Sequence, residues 1–238
     1  MKVKANCFGW LLFGFLLFGW SREPSGEQAP PGSLRIENPV EEWQALYDSL
    51  GLGAKGLSQK AFELAWTGFS ELKYSRPYLA IADFTQSSGK KRLYVLDMVK
   101  KELVIQTLVA HGRNSGEEYA SRFSNREGSY QSSLGFYRTA GTYQGKHGLS
   151  LRLEGVEPGI NDQAARRAIV MHGAEYVSEK FIRLTGRLGR SQGCPAIPVE
   201  EHRKLIGLLK EGSGLFIYAD SDKYLADSPL LSKLRPSV

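Results

Sequence analysis

The sequence predicts a mainly β fold with a few helices, and three observations predict it. Short runs rich in Val, Ile, Leu and Tyr follow one another beyond Pro77. Helical periodicity is confined to the stretches from Pro39 to Leu72 and from Pro198 to Lys210. There is no Gly-rich phosphate loop, no internal repeat and no regular alternation of strand with helix, which excludes a doubly wound nucleotide fold.

The chain begins with Lys2 and Lys4 followed by an apolar run from Phe8 to Trp20, the layout of a secretory signal. The run is short of the roughly 20 residues that a membrane-spanning helix needs. Gly19-Trp20-Ser21 offers a cleavage site after Ser21, so residues 1–21 are expected to be a signal peptide and the protein to be exported to the periplasm or cell envelope. Membrane contact is expected only if that signal stays uncleaved. No Cys follows the apolar run, which argues against a lipoprotein. Residues 22–35, rich in Pro, Gly and charge, read as a flexible linker.

Residues 36–74 read as a helical segment. Trp43, Leu46, Tyr47 and Leu50 recur at helical spacing between Pro39 and Gly51, and a second helix starts at Ser58 as N-cap and carries Phe62, Ala65, Trp66, Phe69 and Leu72. These aromatics are expected to pack on the domain that follows, residues 75–220. Its strands are expected at Tyr78–Phe84, Lys91–Asp97 and Glu102–Ala110, as an antiparallel meander, and then at Gly135–Thr142, Leu149–Leu153, Ala168–Met171 and Leu215–Ala219. A helix opens at Pro198 and closes before Gly212. The polar tail, 221–238, is expected on the surface.

At 238 residues, 42% hydrophobic and 24% charged, the chain suits one main domain with an extension. A net charge of +6 does not by itself name a partner. No nucleic-acid motif is present, and no nucleic-acid partner is expected.

Chemistry concentrates between Met171 and Pro198. Cleavage after Ser21 would remove Cys7 and leave Cys194 as the single thiol of an exported chain, unable to form an internal disulfide. Gly193 before it and Pro195 after it describe a turn, not a packed strand. A thiol becomes a strong nucleophile when a neighbouring imidazole takes its proton, and His172 is the candidate base. Acyl transfer at a thiolate creates an oxyanion that needs fixed N–H donors. Pro195 has none, so Gly193 and Cys194 are the candidate donors. Arg183, Arg187 and Arg190 lie just upstream, where a cation favours thiolate or holds a carboxylate; Arg190 is the preferred one. Ser191, Gln192 and Tyr143 are further candidate substrate-binding residues, Ser191 placed also to shape the turn and Tyr143 to reach substrate from a neighbouring loop. His111 and His147 sit beside glycine-rich turns; without HExxH or CxxC spacing, no metal site is expected.

His172-Gly173, seventeen intervening residues and then Ser191-Gln192-Gly193-Cys194 resemble the catalytic motif of the YkuD-type L,D-transpeptidases, most closely the murein L,D-transpeptidase catalytic-domain branch. The stretches Ser132–Tyr143, His147–Asp162 and Gly189–Pro198 extend the resemblance, which covers about Leu57 to Asp220. It implies a β-sandwich catalytic domain preceded by the helical segment, peptidoglycan stem peptides as partner, no cofactor, and the Gly173 carbonyl as the group that orients His172. It also implies cleavage of the L,D bond of a tetrapeptide stem through a Cys194 thioester, with transfer to an amine as a 3-3 cross-link. An L,D-carboxypeptidase using water, or a non-catalytic wall-binding domain, are the alternatives. Gln192 stands where the wider family has His, a departure at a substrate-binding position.

Overall fold

The structure, a computed structural model, describes residues 39–233. The expected signal peptide and linker, the first residues of the helical segment and residues 234–238 of the tail lie outside them. No helix among the described residues is long and apolar enough to cross a membrane.

Two helices come first. Helix α1 (Pro39–Ser49) and helix α2 (Gln59–Leu72) are joined by a turn closed by the Tyr47 hydroxyl, which donates to Leu57 O at 2.6 Å. Ser58 caps α2 as its position predicts, its Oγ accepting from Ala61 N at 3.3 Å and satisfying one of the free N–H groups of the first turn. Trp43, Leu46, Phe62 and Ala65 are buried in the main core, so the aromatics of this segment are packing residues. Gly68 lets α2 sit directly on the sheet: a Cβ built there would fall inside the ring of Phe136, which is itself stacked on Phe216 at 4.1 Å. In an open helix Gly→Ala stabilises by about 1 kcal/mol. Here overpacking of about 1–3 kcal/mol outweighs that gain, and Gly68→Ala is expected to lower the urea midpoint; a raised midpoint would mean that Phe136 moves freely aside.

Strands β1 (Tyr78–Asp83), β2 (Leu93–Asp97) and β3 (Glu102–Thr107) form the expected antiparallel meander. Strands β4 (Gly135–Gly145) and β5 (Gly148–Gly155) form a hairpin, followed by β6 (Val170–Gly173), β7 (Ala196–Ile197) and β8 (Gly214–Tyr218). All eight belong to one sheet in the order β3-β2-β1-β8-β4-β5-β6-β7. Both faces of β2 and β8 are buried, which is why they read as unbroken apolar runs. Beyond β3 the chain returns across the molecule, and Ala110 pairs with Ala196 of β7, joining the two edges. The mainly β domain behind a helical segment is as expected, and its eight strands form one continuous sheet wrapped toward a barrel. Strand β6 starts two residues later than expected because Ala168 adopts a left-handed φ of 52°, incompatible with a strand.

Helix α4 (Val199–Leu209) runs where Pro198 and Gly212 place it and buries His202, Leu205, Ile206 and Leu209. Helix α3 (Glu179–Thr185) was not expected: it starts on a Ser178 cap, ends at Gly186 with φ +79° and buries no residue, so it leaves no apolar period in the sequence. The tail reading needs correction. Residues 222–233 form helices α5 (Asp222–Asp227) and α6 (Pro229–Lys233), with Tyr224 and Leu231 in the core. Their anchor is the buried Glu157, whose carboxylate accepts from Phe136 N at 2.7 Å, from Tyr224 Oη at 3.1 Å and from Ser228 Oγ. A polar-looking segment is held inside by a carboxylate some 70 residues away in sequence, as the Tyr224 and Ser228 separations of 67 and 71 show.

Candidate active site

The pairing of β6 with its neighbours brings His172, the candidate base, to the cleft that Cys194 also lines. His172 lies opposite Ser150 of β5 on one side and Ala196 of β7 on the other, while Tyr143 of β4 lies opposite Ser150. Residues directly opposed across a sheet share a face, so Tyr143, Ser150 and His172 form one row. Cys194 lies two residues before Ala196, with Pro195 between them, in the turn that leads into β7. His172 and Cys194 line a single cleft of about 540 Å3, together with Tyr143, Arg190, Ser191 and Gln192. A larger cleft of about 800 Å3 lies beyond the exposed Glu127–Arg166 ion pair, which borders both, but it contains neither the thiol nor the base.

His172 is buried, and its Nδ1 lies 3.0 Å from Gly173 O. A carbonyl only accepts, so Nδ1 carries the proton and Nε2 is left with its lone pair. Burial lowers the proton affinity of this imidazole; the Gly173 carbonyl opposes that, and His147 and Lys146 add to it. His172 is thus a neutral, oriented base at neutral pH. Gly173 has a second use: a side chain there would press on the His202 ring, its Cβ only 3.0 Å from Cγ, so its absence lets α4 pack under the strand.

Cys194, the candidate nucleophile, sits on a tightly tied turn. Ser191 Oγ donates to Cys194 O at 2.6 Å and accepts from Gly193 N at 3.0 Å, so Ser191 does shape the turn. Gly193 has φ +120°, a conformation other residues avoid, and its carbonyl accepts from Ser132 Oγ at 3.2 Å. Its N–H, one of the two anticipated oxyanion donors, is already engaged by Ser191, which leaves the N–H of Cys194. The loop after β3 clamps the turn from outside, with Ser191 N donating to His111 O at 2.9 Å and Arg113 N to Ser191 O at 2.8 Å.

Cys194 is half-buried, and its Sγ donates to Ala168 O at 3.8 Å. Burial pushes the thiol up, against the pull of the Val170 N–H, Arg167, Lys146 and its own N–H. With the imidazole shifted down and the thiol up, the resting pair is neutral thiol and neutral imidazole. A raised thiol gains thiolate only as pH climbs past the ordinary range, so iodoacetamide is expected to alkylate Cys194 at least about tenfold faster at pH 9 than at pH 7. A rate independent of pH from 6 to 9 would instead mean a preformed thiolate–imidazolium pair.

The other anticipated groups divide. Tyr143 lines the cleft with Arg152 stacked over its ring at 4.6 Å, and Gln192 is exposed at the rim. Arg190 borders the cleft, but its guanidinium is spent on Glu117 at 2.6 Å and on the carbonyls of Arg113 and Gly116; Arg187 holds the other Glu117 oxygen at 2.9 Å, and Arg183 is exposed on α3. The cations that favour the thiolate are Arg167 and Lys146, neither foreseen. Arg167 donates to Ser124 O at 2.8 Å and to Gln131 O at 2.6 Å, so it binds the loop before β4 to the site. Lys146 makes no ion pair among the described residues.

His111 is a supporting residue. Its Nδ1 accepts from the fully buried Arg92 at 2.8 Å, its Nε2 faces Gly116 O at 3.3 Å, and burial lowers its pKa to about 4, with Arg92 second. Arg92 also donates to Val109 O and Gln86 O. His147, at the β4–β5 turn, stacks on His172 with ring centroids 4.4 Å apart. Among the described residues no group of three His, Cys, Asp or Glu is placed to hold a metal ion.

Comparison with known proteins gives one family. The L,D-transpeptidase catalytic domain matches residues 53–218. Similar solved structures include an L,D-transpeptidase from Mycobacterium smegmatis, at 11% identity and a TM-score of 0.37, with 60% of this chain and 59% of that one covered. They also include an L,D-transpeptidase (Yku) from Stackebrandtia nassauensis, at 15% identity and 0.36, covering 76% and 78%. A third is the helical cell shape determining protein Pgp2 from Campylobacter jejuni, at 16% and 0.42, covering 74% and 61%. This chain thus spans about 59% of the length of the Mycobacterium smegmatis chain. No curated protein matches. On the match over residues 53–218, the chain belongs to the L,D-transpeptidase catalytic domain family.

Proposed function

We propose that the protein is an exported peptidoglycan L,D-transpeptidase working through a Cys194 thioester. The observation that carries the reading is a thiol and an oriented, neutral imidazole on one cleft, set there by the pairing of β6 with β7. Cys194 Sγ attacks the carbonyl of the third residue of a tetrapeptide stem, and its proton passes to His172 Nε2. The Cys194 N–H donates to the oxyanion. As the C–N bond to the terminal D-Ala breaks, His172 returns the proton to the leaving amine, and an S–C bond holds the acyl group. An amine of a second stem then attacks the thioester, His172 takes its proton, and the thiol is regenerated as the 3-3 link forms. Lys146, which lines the cleft and makes no ion pair among the described residues, takes the role of carboxylate holder that Arg190 cannot fill while bound to Glu117. Tyr143 and Gln192 line the path of the stem. Residues 1–21 supply the export signal on which the envelope location rests.

The test is to incubate residues 22–238 with disaccharide-tetrapeptide and record both protein mass and products. An acyl adduct on Cys194 with cross-linked dimer is the expected result. Tripeptide without dimer would replace the transpeptidase by a carboxypeptidase. Unmodified protein and untouched substrate would overturn the enzymatic reading.

A further inference from the structure

The site holds a second imidazole that the acyl-transfer scheme does not use. His147 occupies the two-residue turn between β4 and β5, where Gly145 pairs with Gly148 and Gly148 takes φ +75°. It is exposed, so burial does not explain its placement. Its ring lies nearly parallel to that of His172, 22° off plane with centroids 4.4 Å apart, and both rings border the cleft that contains Cys194.

One hydrogen bond, Nδ1 to Gly173 O, fixes the tautomer of His172 and anchors one edge of its ring. A ring held by a single bond still tilts about it, and the tilt carries Nε2 out of line with the thiol. A flat partner against the ring face removes that freedom. The partner is delivered by covalent geometry: β4 and β5 extend to Gly145 and Gly148, and β5 hydrogen-bonds to β6 with Ser150 opposite His172. This register brings the tip of the hairpin to the side of the sheet where the His147 ring lies against that of His172.

The geometry points to His147 as a positioning residue, whose ring face holds the His172 imidazole in the plane where its Nε2 exchanges a proton with Cys194. It acts through His172 and not on the substrate. The charge of His147, when present, also works against protonation of His172, so stacking and charge favour the same oriented, neutral base.

The role rests on the acyl-transfer reading, and two variants with two readouts separate the failures. His147→Ala is expected to lower kcat for stem turnover by about ten- to a hundredfold, leaving KM within about twofold and the melting temperature unchanged, since the residue is exposed. His147→Phe keeps a flat ring without a charge and is expected to recover most of the lost kcat. In parallel, the imidazole 15N spectrum of His172 is expected to show the same Nδ1–H tautomer in all three proteins, with sharp signals in the wild type and in His147→Phe and signals broadened by ring motion in His147→Ala. Wild-type kcat and an unchanged His172 signal in His147→Ala would overturn the proposal. A His147→Phe variant as slow as His147→Ala would also overturn it, because the flat ring would then not be the cause. If the wild type turned over no stem at all, the functional reading would fall, and the 15N comparison would still decide the role of His147.

Discussion

Cys194→Ala is expected to abolish both the acyl adduct and the cross-linked product, a loss of about 10^4-fold or more, while the protein melts as the wild type does. The size follows from the chemistry, because without sulfur no thioester forms and the remaining groups only hold the stem in place. The unchanged melting follows from the structure. The turn is tied through backbone atoms and Ser191, with Ser191 Oγ on Cys194 O and Ser132 Oγ on Gly193 O, and none of these bonds uses the thiol. His172→Ala should cost about 10^2–10^4-fold in adduct formation, the usual worth of a general base. Removing both groups should cost little more than removing Cys194 alone, since they act as a unit. Full turnover by Cys194→Ala would move the chemistry to another nucleophile; matched losses of activity and of melting temperature would make the cysteine a packing residue.

Arg92→Ala carries the largest expected stability effect, about 3–5 kcal/mol in urea denaturation. Arg92 is fully buried, and its guanidinium serves Val109 O, Gln86 O and His111 Nδ1 while stacking over Phe84 at 4.5 Å. Burial lowers even its own pKa, to about 9. Truncation leaves three acceptors without donors as well as a cavity. Arg92→Met fills the space but still orphans the acceptors, so it should recover only part of the loss. Because His111 O receives the N–H of Ser191, the folded fraction of either variant should also turn over more slowly than wild type. Wild-type stability in Arg92→Met would mean that water replaces the guanidinium at no cost.

The meander was legible because β1, β2 and β3 are separated by hairpin-length polar turns, and α2 because Ser58 marks its start. The short helices were not. With only a turn or two each, α3, α5 and α6 carry no period, and what draws Tyr224 and Ser228 inward is Glu157, far away in sequence. At the site, His172 and Cys194 stood out because glycine and proline flank them and because local backbone geometry belongs to local sequence. Lys146, His147 and Arg167 did not, since their proximity to the pair comes from strand register and loop closure. Arg190 misled for the same reason: its nearness to Cys194 in sequence said nothing of Glu117, which claims its charge.

The last strand of the sheet lies at its centre, with β8 between β1 and β4. During synthesis the meander can form as soon as it emerges, but its inner edge stays open until residues 214–218 arrive. Until then the half that carries the hairpin, His172 and Cys194 meets the other half along its outer edge, through the Ala110–Ala196 and Gly112–Ser191 bridges. Closure of long-range, parallel pairs of this kind is slow and leaves unpaired strand edges exposed meanwhile. The cleft that holds His172 and Cys194 thus depends on the last strand to be made, and a chain interrupted before Gly214 carries both residues but lacks the central strand that joins the two halves of their scaffold.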